Sequence, residues 1–162
     1  MPRNSPPVVC PIAGSLELIG EKWTLLILRD LHRGLHRFNQ LEENLGCPRN
    51  LLSARLRKLT EAGIITRRPY REPGQRARSS YALSDSGRDL ILVLGALQDW
   101  GLRHVPGTRA TAAPPFHADC GSPVRVTLTC TDGHDVPVEE LSTYSAGAST
   151  GDSVTTMPSE SA

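Results

Sequence analysis

The residues best suited to chemistry lie on one side of the segment from residue 49 to 63. Its leucines recur at the spacing of an apolar helix face, at Leu52, Leu56 and Leu59. A turn of about 100° per residue places a small, polar and basic set on the opposite side: Asn50, Ser53, Ala54 and Arg57. Because asparagine can pair with adenine and arginine can contact guanine with two hydrogen bonds, this face is typical of a helix that reads the major groove of DNA.

Basic and amide side chains flank this face. The window from residue 49 to 78 carries nine arginines and lysines against two glutamates, a net charge of +7. Such a charge attracts the phosphates of a DNA duplex. Arg76 and Arg78 lie at or beside the tip of a predicted hairpin, where they could reach the adjacent minor groove or only its phosphates. The flanking residues that we predict to contact DNA are Asn39, Gln40, Arg49, Arg55, Lys58, Arg76 and Arg78.

Cys10 is the cysteine best placed for regulation, because it directly precedes a proline at a predicted helix start. The positive end of a helix dipole favours the thiolate form of cysteine and therefore its reactivity. The alternative is that Cys10 is only a small residue at the helix start. Cys47 falls in a turn and is interpreted as a packed apolar residue.

A second set of thiols and imidazoles lies near the C-terminus, at His117, Cys120, Cys130 and His134. Two sulfur and two nitrogen ligands in paired short spacings could form a tetrahedral zinc site. Neither pair has the stronger Cys-x2-Cys form, and Gly133 stands where a complete zinc ribbon would carry cysteine. A disulfide and plain thiol packing therefore remain as alternatives.

The elements that position these residues follow from hydrophobic periodicity and turn residues. Helices are predicted at residues 10–20, 22–34, 38–45, 49–63 and 84–103, with Ser84 as the cap of the last one. Two extended segments, 64–70 and 77–83, flank a Pro-Gly turn and predict a β-hairpin. Helices 38–45 and 49–63 are separated by a three-residue turn with glycine, which is helix-turn-helix spacing.

The predicted fold is mainly α with a small β-hairpin wing, a winged helix-turn-helix at residues 10–103. The last helix is apolar on several sides, which predicts packing against a second copy in a homodimer. We expect a flexible arm at 1–9, a linker at 104–116, a small extended unit at 117–141 and a disordered tail at 142–162. The extended unit contains an alternating segment, 124–130, that predicts a strand.

Length and charge narrow the function further. A chain of 162 residues is too short for a complete barrel or a two-domain dehydrogenase. The net charge of +1 combines +6 over residues 1–103 with −5 over residues 104–162, so a basic domain is masked by an acidic extension. That extension could weaken non-specific DNA binding. No apolar run approaches the roughly 18 residues that cross a bilayer, and no signal peptide is visible, so we expect a cytoplasmic protein.

Several strings together resemble the HxlR-type winged-helix regulators, which are related to MarR-type repressors. They are Cys10-Pro11, GEKWTLLILRDL at 20–31, Arg37-Phe38, LLSARLRKLTEAGII at 51–65 and YALSDSGRDL at 81–90. The resemblance implies a homodimeric bacterial transcription regulator that binds a pseudo-palindromic operator on double-stranded DNA, with the helix from Arg49 to Gly63 in the major groove and the hairpin as the wing. We expect this regulator to be a repressor. The resemblance also implies that Cys10 could detect electrophiles, aldehydes or oxidants. Pro48-Arg49 departs from the polar pair that often starts the recognition helix in this family, which leaves the operator sequence open.

Two other functions remain open at this point. One is a winged helix that serves only as a protein-interaction module, and the other is a thiol enzyme that uses Cys120 or Cys130 with a histidine. No G-x-S-x-G, P-loop or H-E-x-x-H string occurs, and the histidines are scattered. We therefore expect no enzymatic activity and no required cofactor.

Overall fold

The computed structural model describes residues 10–71, 78–109 and 115–142. Five α-helices and one hairpin follow in chain order: α1 (Pro11–Ile19), α2 (Lys22–His32), α3 (Phe38–Leu45), α4 (Arg49–Glu61), β1 (Ile65–Tyr70), β2 (Arg78–Leu83) and α5 (Asp85–His104). A single 3-10 turn, Val138–Glu140, comes after them. The α-helices and the hairpin confirm the predicted winged helix-turn-helix order. The predicted arm at 1–9, Arg76 and nearly all of the predicted tail lie outside the described residues.

The core forms where the apolar faces of α2, α3 and α4 meet. Ile27 and Leu28 of α2 are fully buried, as are Leu41 of α3 and Leu52 of α4. Leu56, Leu59 and Ile65 add to the same cluster. Burying one such side chain contributes roughly 1.5–3 kcal/mol, so this cluster is what fixes α4 on the domain.

A buried carboxylate ties α2 to α3 inside this core. Asp30 has no exposed surface, and its Oδ2 accepts a hydrogen bond of 2.7 Å from Asn44 Nδ2. Its Oδ1 accepts a second bond, of 2.8 Å, from Arg29 Nε. Burying a charge is costly unless it is paired and hydrogen-bonded, so this fully engaged carboxylate holds the two helices in one arrangement.

The turn between α3 and α4 sets the angle between these two helices. Gly46 has a φ of +59°, a left-handed conformation that residues with a Cβ adopt at a cost. Cys47 is buried in the core, which confirms its interpretation as a packed apolar residue. Pro48 then precedes the first helical residue of α4.

The hairpin is joined to the helices through the start of α3. β1 and β2 pair antiparallel with Ile65 opposite Leu83 and Tyr70 opposite Arg78. The backbone N–H of Tyr81 donates to the carbonyl of His36 over 2.8 Å, and His36 Nδ1 lies 3.0 Å from the carbonyl of Tyr81. The wing therefore extends from the same corner of the domain as the helix-turn-helix.

α5 begins against the junction of α4 and β1, and then leaves much of its surface open. The Ser84 hydroxyl accepts a 3.2 Å hydrogen bond from the backbone N–H of Gly87, which confirms the predicted cap. Large apolar side chains farther along α5 remain exposed, namely Leu92, Val93, Leu97, Trp100 and Leu102. No helix in the described part of the chain is long and apolar enough to cross a membrane.

The C-terminal region differs from its prediction in one respect. Residues 124–128 are not part of a strand, and the described contacts nearby are single bridges, Phe116 with Pro123 and Thr129 with Asp135. An alternating sequence forms a strand only where a neighbour pairs along its length, and this segment has only isolated contacts. The chain comprises two compact units, Met1–Arg125 and Val126–Ala162, whose boundary falls within the predicted extended unit.

Candidate nucleic-acid interface

The outer face of α4 is the part of the molecule best suited to contact a ligand. Asn50, Ser53 and Arg57 are exposed, as the helical spacing predicts, and Ala54 is half-buried beside them. Within the described ranges, no side-chain hydrogen bond or ion pair engages the three exposed residues. A row of polar side chains without protein partners can exchange its water for base edges at small cost.

The start of α3 lies beside the start of α4 and is ordered by its own capping bond. Gln40 Oε1 accepts a 3.0 Å hydrogen bond from the backbone N–H of Arg37, which closes the first turn of the helix. This bond occupies part of the Gln40 side chain that was predicted to contact DNA. Asn39, the other predicted contact on α3, is exposed.

Arg49 is held at the first position of α4 by two neighbours from α3. Its guanidinium stacks over the Phe38 ring at 4.8 Å and pairs with a Glu42 carboxylate oxygen over 2.7 Å. The side chain remains 72% exposed, so the guanidinium is oriented without being removed from solvent. A phosphate could share it with Glu42.

A groove separates these helices from the wing. It has a volume of about 470 Å³ and is lined by Phe38, Asn39, Arg49, Tyr70, Arg78, Ser79 and Tyr81. Two of the predicted DNA contacts on the helices and one on the wing, Arg78, therefore line one depression. Arg76, the remaining predicted wing contact, lies outside the described residues.

The structure gives Arg55 and Lys58 a different environment from the one predicted. Both side chains turn toward the corner between α1 and α2, where Arg55 forms an ion pair with Glu21. Lys58 Nζ donates a 2.7 Å hydrogen bond to the carbonyl of Glu17 and lies 3.5 Å from Glu21. This placement does not favour phosphate contacts, because both cations already have partners within the protein. Glu21 lies 34 positions from Arg55, so no local spacing reveals the pair.

The four cysteines occupy different environments. Cys10 is exposed at the N-cap of α1, where the backbone N–H groups of Ala13 and Ile12 lower the pKa of its thiol. Burial raises the pKa of Cys47, and the nearby Arg55 offsets part of that effect. The first thiol is therefore the more reactive of these two at neutral pH.

The other two cysteines each lie beside a histidine within their own unit. In the first unit His117 Nδ1 is 3.3 Å from Cys120 Sγ, and in the second Cys130 Sγ is 3.6 Å from His134 Nδ1. The hydroxyl and backbone of Ser122, together with His117, lower the pKa of Cys120 to about 7. Taken unit by unit, the described residues contain no group of three or more potential metal ligands. The zinc site stays a prediction.

The chain is similar in sequence to known transcription regulators. A family model described as an HxlR-like helix-turn-helix matches residues 18–108. The chain is similar to Rv3095 of Mycobacterium tuberculosis, which is named an HTH-type transcriptional regulator, with 42% identity over 120 residues that cover 74% of this chain and 75% of the relative.

The chain is also similar in structure to two solved proteins. PA1607, described as a candidate transcription factor, superposes with a TM-score of 0.72 and 32% identity over 85% of this chain and 96% of its own. The oxidised form of the redox regulator HypR superposes with a TM-score of 0.53 and 26% identity over 62% of this chain and 99% of its own. These matches confirm the predicted winged-helix fold.

Proposed function

The chain belongs to the HxlR-like helix-turn-helix family of transcription regulators, and from this premise we propose that it is a repressor that binds a pseudo-palindromic operator as a homodimer. The observation that carries the DNA-binding part is the outer face of α4. Asn50, Ser53 and Arg57 have no hydrogen-bond or ion-pair partner there among the described residues, and Arg49 and Arg78 line the groove between the helices and the wing. In this arrangement α4 enters the major groove and the wing follows the adjacent backbone.

Affinity measurements with charge-matched variants test this proposal. The operator is first located by genomic footprinting. Arg57→Ala then removes a base contact and should weaken operator binding by about 1–3 kcal/mol, a 5- to 150-fold loss. Arg33→Ala is the control, because Arg33 is also exposed but lies at the end of α2. Equal affinities of the two variants would show that Arg57 makes no base contact. A footprint that contains no bound site would instead favour a protein-interaction module without specific DNA binding.

The exposed apolar surface supports the homodimer. Ile12 and Leu16 of α1 are 71% and 57% exposed, and Leu92 and Trp100 of α5 are 69% and 53% exposed. Monomeric proteins rarely leave so many large apolar side chains in water, and a second copy would cover them. Sedimentation velocity should show a dimer that Trp100→Glu converts to monomer. A monomeric wild-type protein at micromolar concentration would contradict this part of the proposal.

Regulation by electrophiles or oxidants through Cys10 completes the proposal. Its support is the exposed thiol with a lowered pKa at the N-terminus of α1, together with the similarity to a protein described as a redox regulator. Diamide should lower operator affinity of the wild-type protein and leave Cys10→Ser unaffected. A loss of affinity that persists in Cys10→Ser would refute the role of this thiol.

The repressor assignment comes from the family resemblance and is tested in cells. Deleting the gene should raise transcription from the footprinted promoter, and restoring the wild-type gene should lower it again. A fall in transcription on deletion would instead identify an activator.

A further inference from the structure

Three elements meet at a cluster of charges on the flank of α4, between its outer face and its buried leucines. The carboxylate of Glu21 pairs with Arg55 and lies 3.5 Å from Lys58 Nζ. Lys58 also donates a 2.7 Å hydrogen bond to the carbonyl of Glu17. Arg55 is the most enclosed member, with a side chain 20% exposed and a buried Nε that has no partner in the described structure. We call these residues, Glu17, Glu21, Arg55 and Lys58, the corner cluster.

The corner cluster supplies two interactions that α1 and α2 do not make within themselves. The last turn of α1 contains no basic residue, so the negative end of its dipole lacks a cation from its own helix. Lys58 supplies that cation from α4. Glu21 is the N-cap of α2 but its side chain makes no capping bond, which leaves its carboxylate to the two cations of α4.

The cluster also changes how much positive charge α4 presents to DNA. The helix has four basic residues, Arg49, Arg55, Arg57 and Lys58. The cluster engages two of them, and Arg49 shares its charge with Glu42. Arg57 is the one basic residue of α4 with no ion pair or side-chain hydrogen bond among the described residues. Charges that are withheld from phosphates reduce binding that is independent of sequence, whereas base contacts are unaffected.

We propose that Glu21 is a positioning residue that determines specificity: it anchors α4 through Arg55 and Lys58 and withholds these two cations from DNA phosphates. As a result, the ratio of operator affinity to non-specific affinity is higher than it would be without Glu21. This inference rests on the proposed DNA-binding function and extends it to a residue that touches no base.

The test compares Glu21→Gln with Glu61→Gln on a random-sequence duplex and on the footprinted operator, as a function of salt. Both substitutions remove one negative charge at or beside α4. Glu61 is exposed and forms no ion pair with any residue that the structure describes, so its loss releases no cation. With two more cations available, Glu21→Gln should steepen the log–log salt dependence for random DNA by about 1–2 and tighten binding about 3- to 10-fold. The operator should gain less, so the specificity ratio falls.

Glu21→Asp keeps the charge and should retain the wild-type salt dependence. If Glu21→Gln changes the slope no more than Glu61→Gln does, or tightens both duplexes equally, the inference is wrong.

A measurement without DNA separates this inference from the proposed function. In a double-mutant cycle of Glu21→Gln and Arg55→Gln, urea unfolding should give a coupling of about two- to fivefold in the unfolding constant. Zero coupling overturns the inference. If the wild-type protein binds no DNA but the coupling is present, the proposed function is wrong and the anchoring of α4 by Glu21 is still established.

Discussion

A buried glycine at the start of α5 offers a direct test of the packing that supports the wing and α4. Gly87 lies in the first turn of α5, and a Cβ at this position would meet the carbonyl oxygen of Ile64 at 2.2 Å. The same Cβ would meet Leu83 Cδ2 at 3.3 Å. Because the first obstacle is backbone, the start of α5 and the junction of α4 with β1 must separate to accept alanine.

The expected loss follows from what this separation breaks. The carbonyl of Ile64 accepts hydrogen bonds from the backbone N–H of Ser84 over 3.1 Å and from its hydroxyl over 2.8 Å. Weakening of these hydrogen bonds costs about 1 kcal/mol, and overpacking costs roughly 1–3 kcal/mol. The higher helix propensity of alanine offsets about 0.5–1 kcal/mol. Gly87→Ala should therefore lower the free energy of unfolding by about 1–3 kcal/mol.

Urea unfolding followed by far-ultraviolet circular dichroism measures this change, and the same helix supplies the control. A Cβ at Gly101 would meet no atom within 4 Å, so Gly101→Ala should gain helix propensity without a clash. We expect Gly101→Ala to stabilise the protein by about 0.5–1 kcal/mol. The reasoning is refuted if Gly87→Ala is as stable as the wild-type protein, or if both variants shift the midpoint in the same direction.

Three further predictions address other parts of the chain. Asp30→Ala should destabilise by about 1–3 kcal/mol in the same urea assay, because it removes the hydrogen bonds that Arg29 and Asn44 donate to a buried carboxylate; a change below about 0.5 kcal/mol would contradict this role. Alkylation by iodoacetamide, followed by peptide mass spectrometry, should have its pH midpoint at a lower pH for Cys10 than for Cys47, because a thiol with a lowered pKa is already a thiolate at lower pH. The opposite order of the two midpoints would refute the assigned pKa directions. Deletion of residues 105–162, which removes net negative charge, should tighten salt-sensitive binding to random DNA; unchanged affinity would leave the extension without this effect.

Local patterns predicted the fold of this protein well because its helices carry their own signals. Leu52, Leu56 and Leu59 lie on one face at helical spacing, and all three are buried. Ser84 is followed by a helix that it caps. Each of these sequence signals lies within a few residues of the helix that it predicts, and the packed core is consistent with all of them.

The predictions that changed depend on partners far away in the chain. Alternation at residues 124–130 suggested a strand, but no neighbour in the described ranges pairs along the length of this segment. The ion pairs of Arg55 and Lys58 could not be predicted, because the sequence does not show that α1 and α2 bring Glu17 and Glu21 to them. Their contacts with phosphate stay a prediction. Gln40 could have been recognised, since glutamine at the third position of a helix is typical of a capping residue.

The central claim is that the outer face of α4 reads DNA sequence, and selection of bound duplexes from a random pool tests it most directly. Wild-type protein should enrich two inverted half-sites whose centres are about 10–10.5 base pairs, or a multiple, apart. Arg57→Ala should still enrich paired half-sites but lose preference at one base position in each, because a single base contact is removed. Enrichment of the same sequence with the same preferences by both proteins would contradict the account.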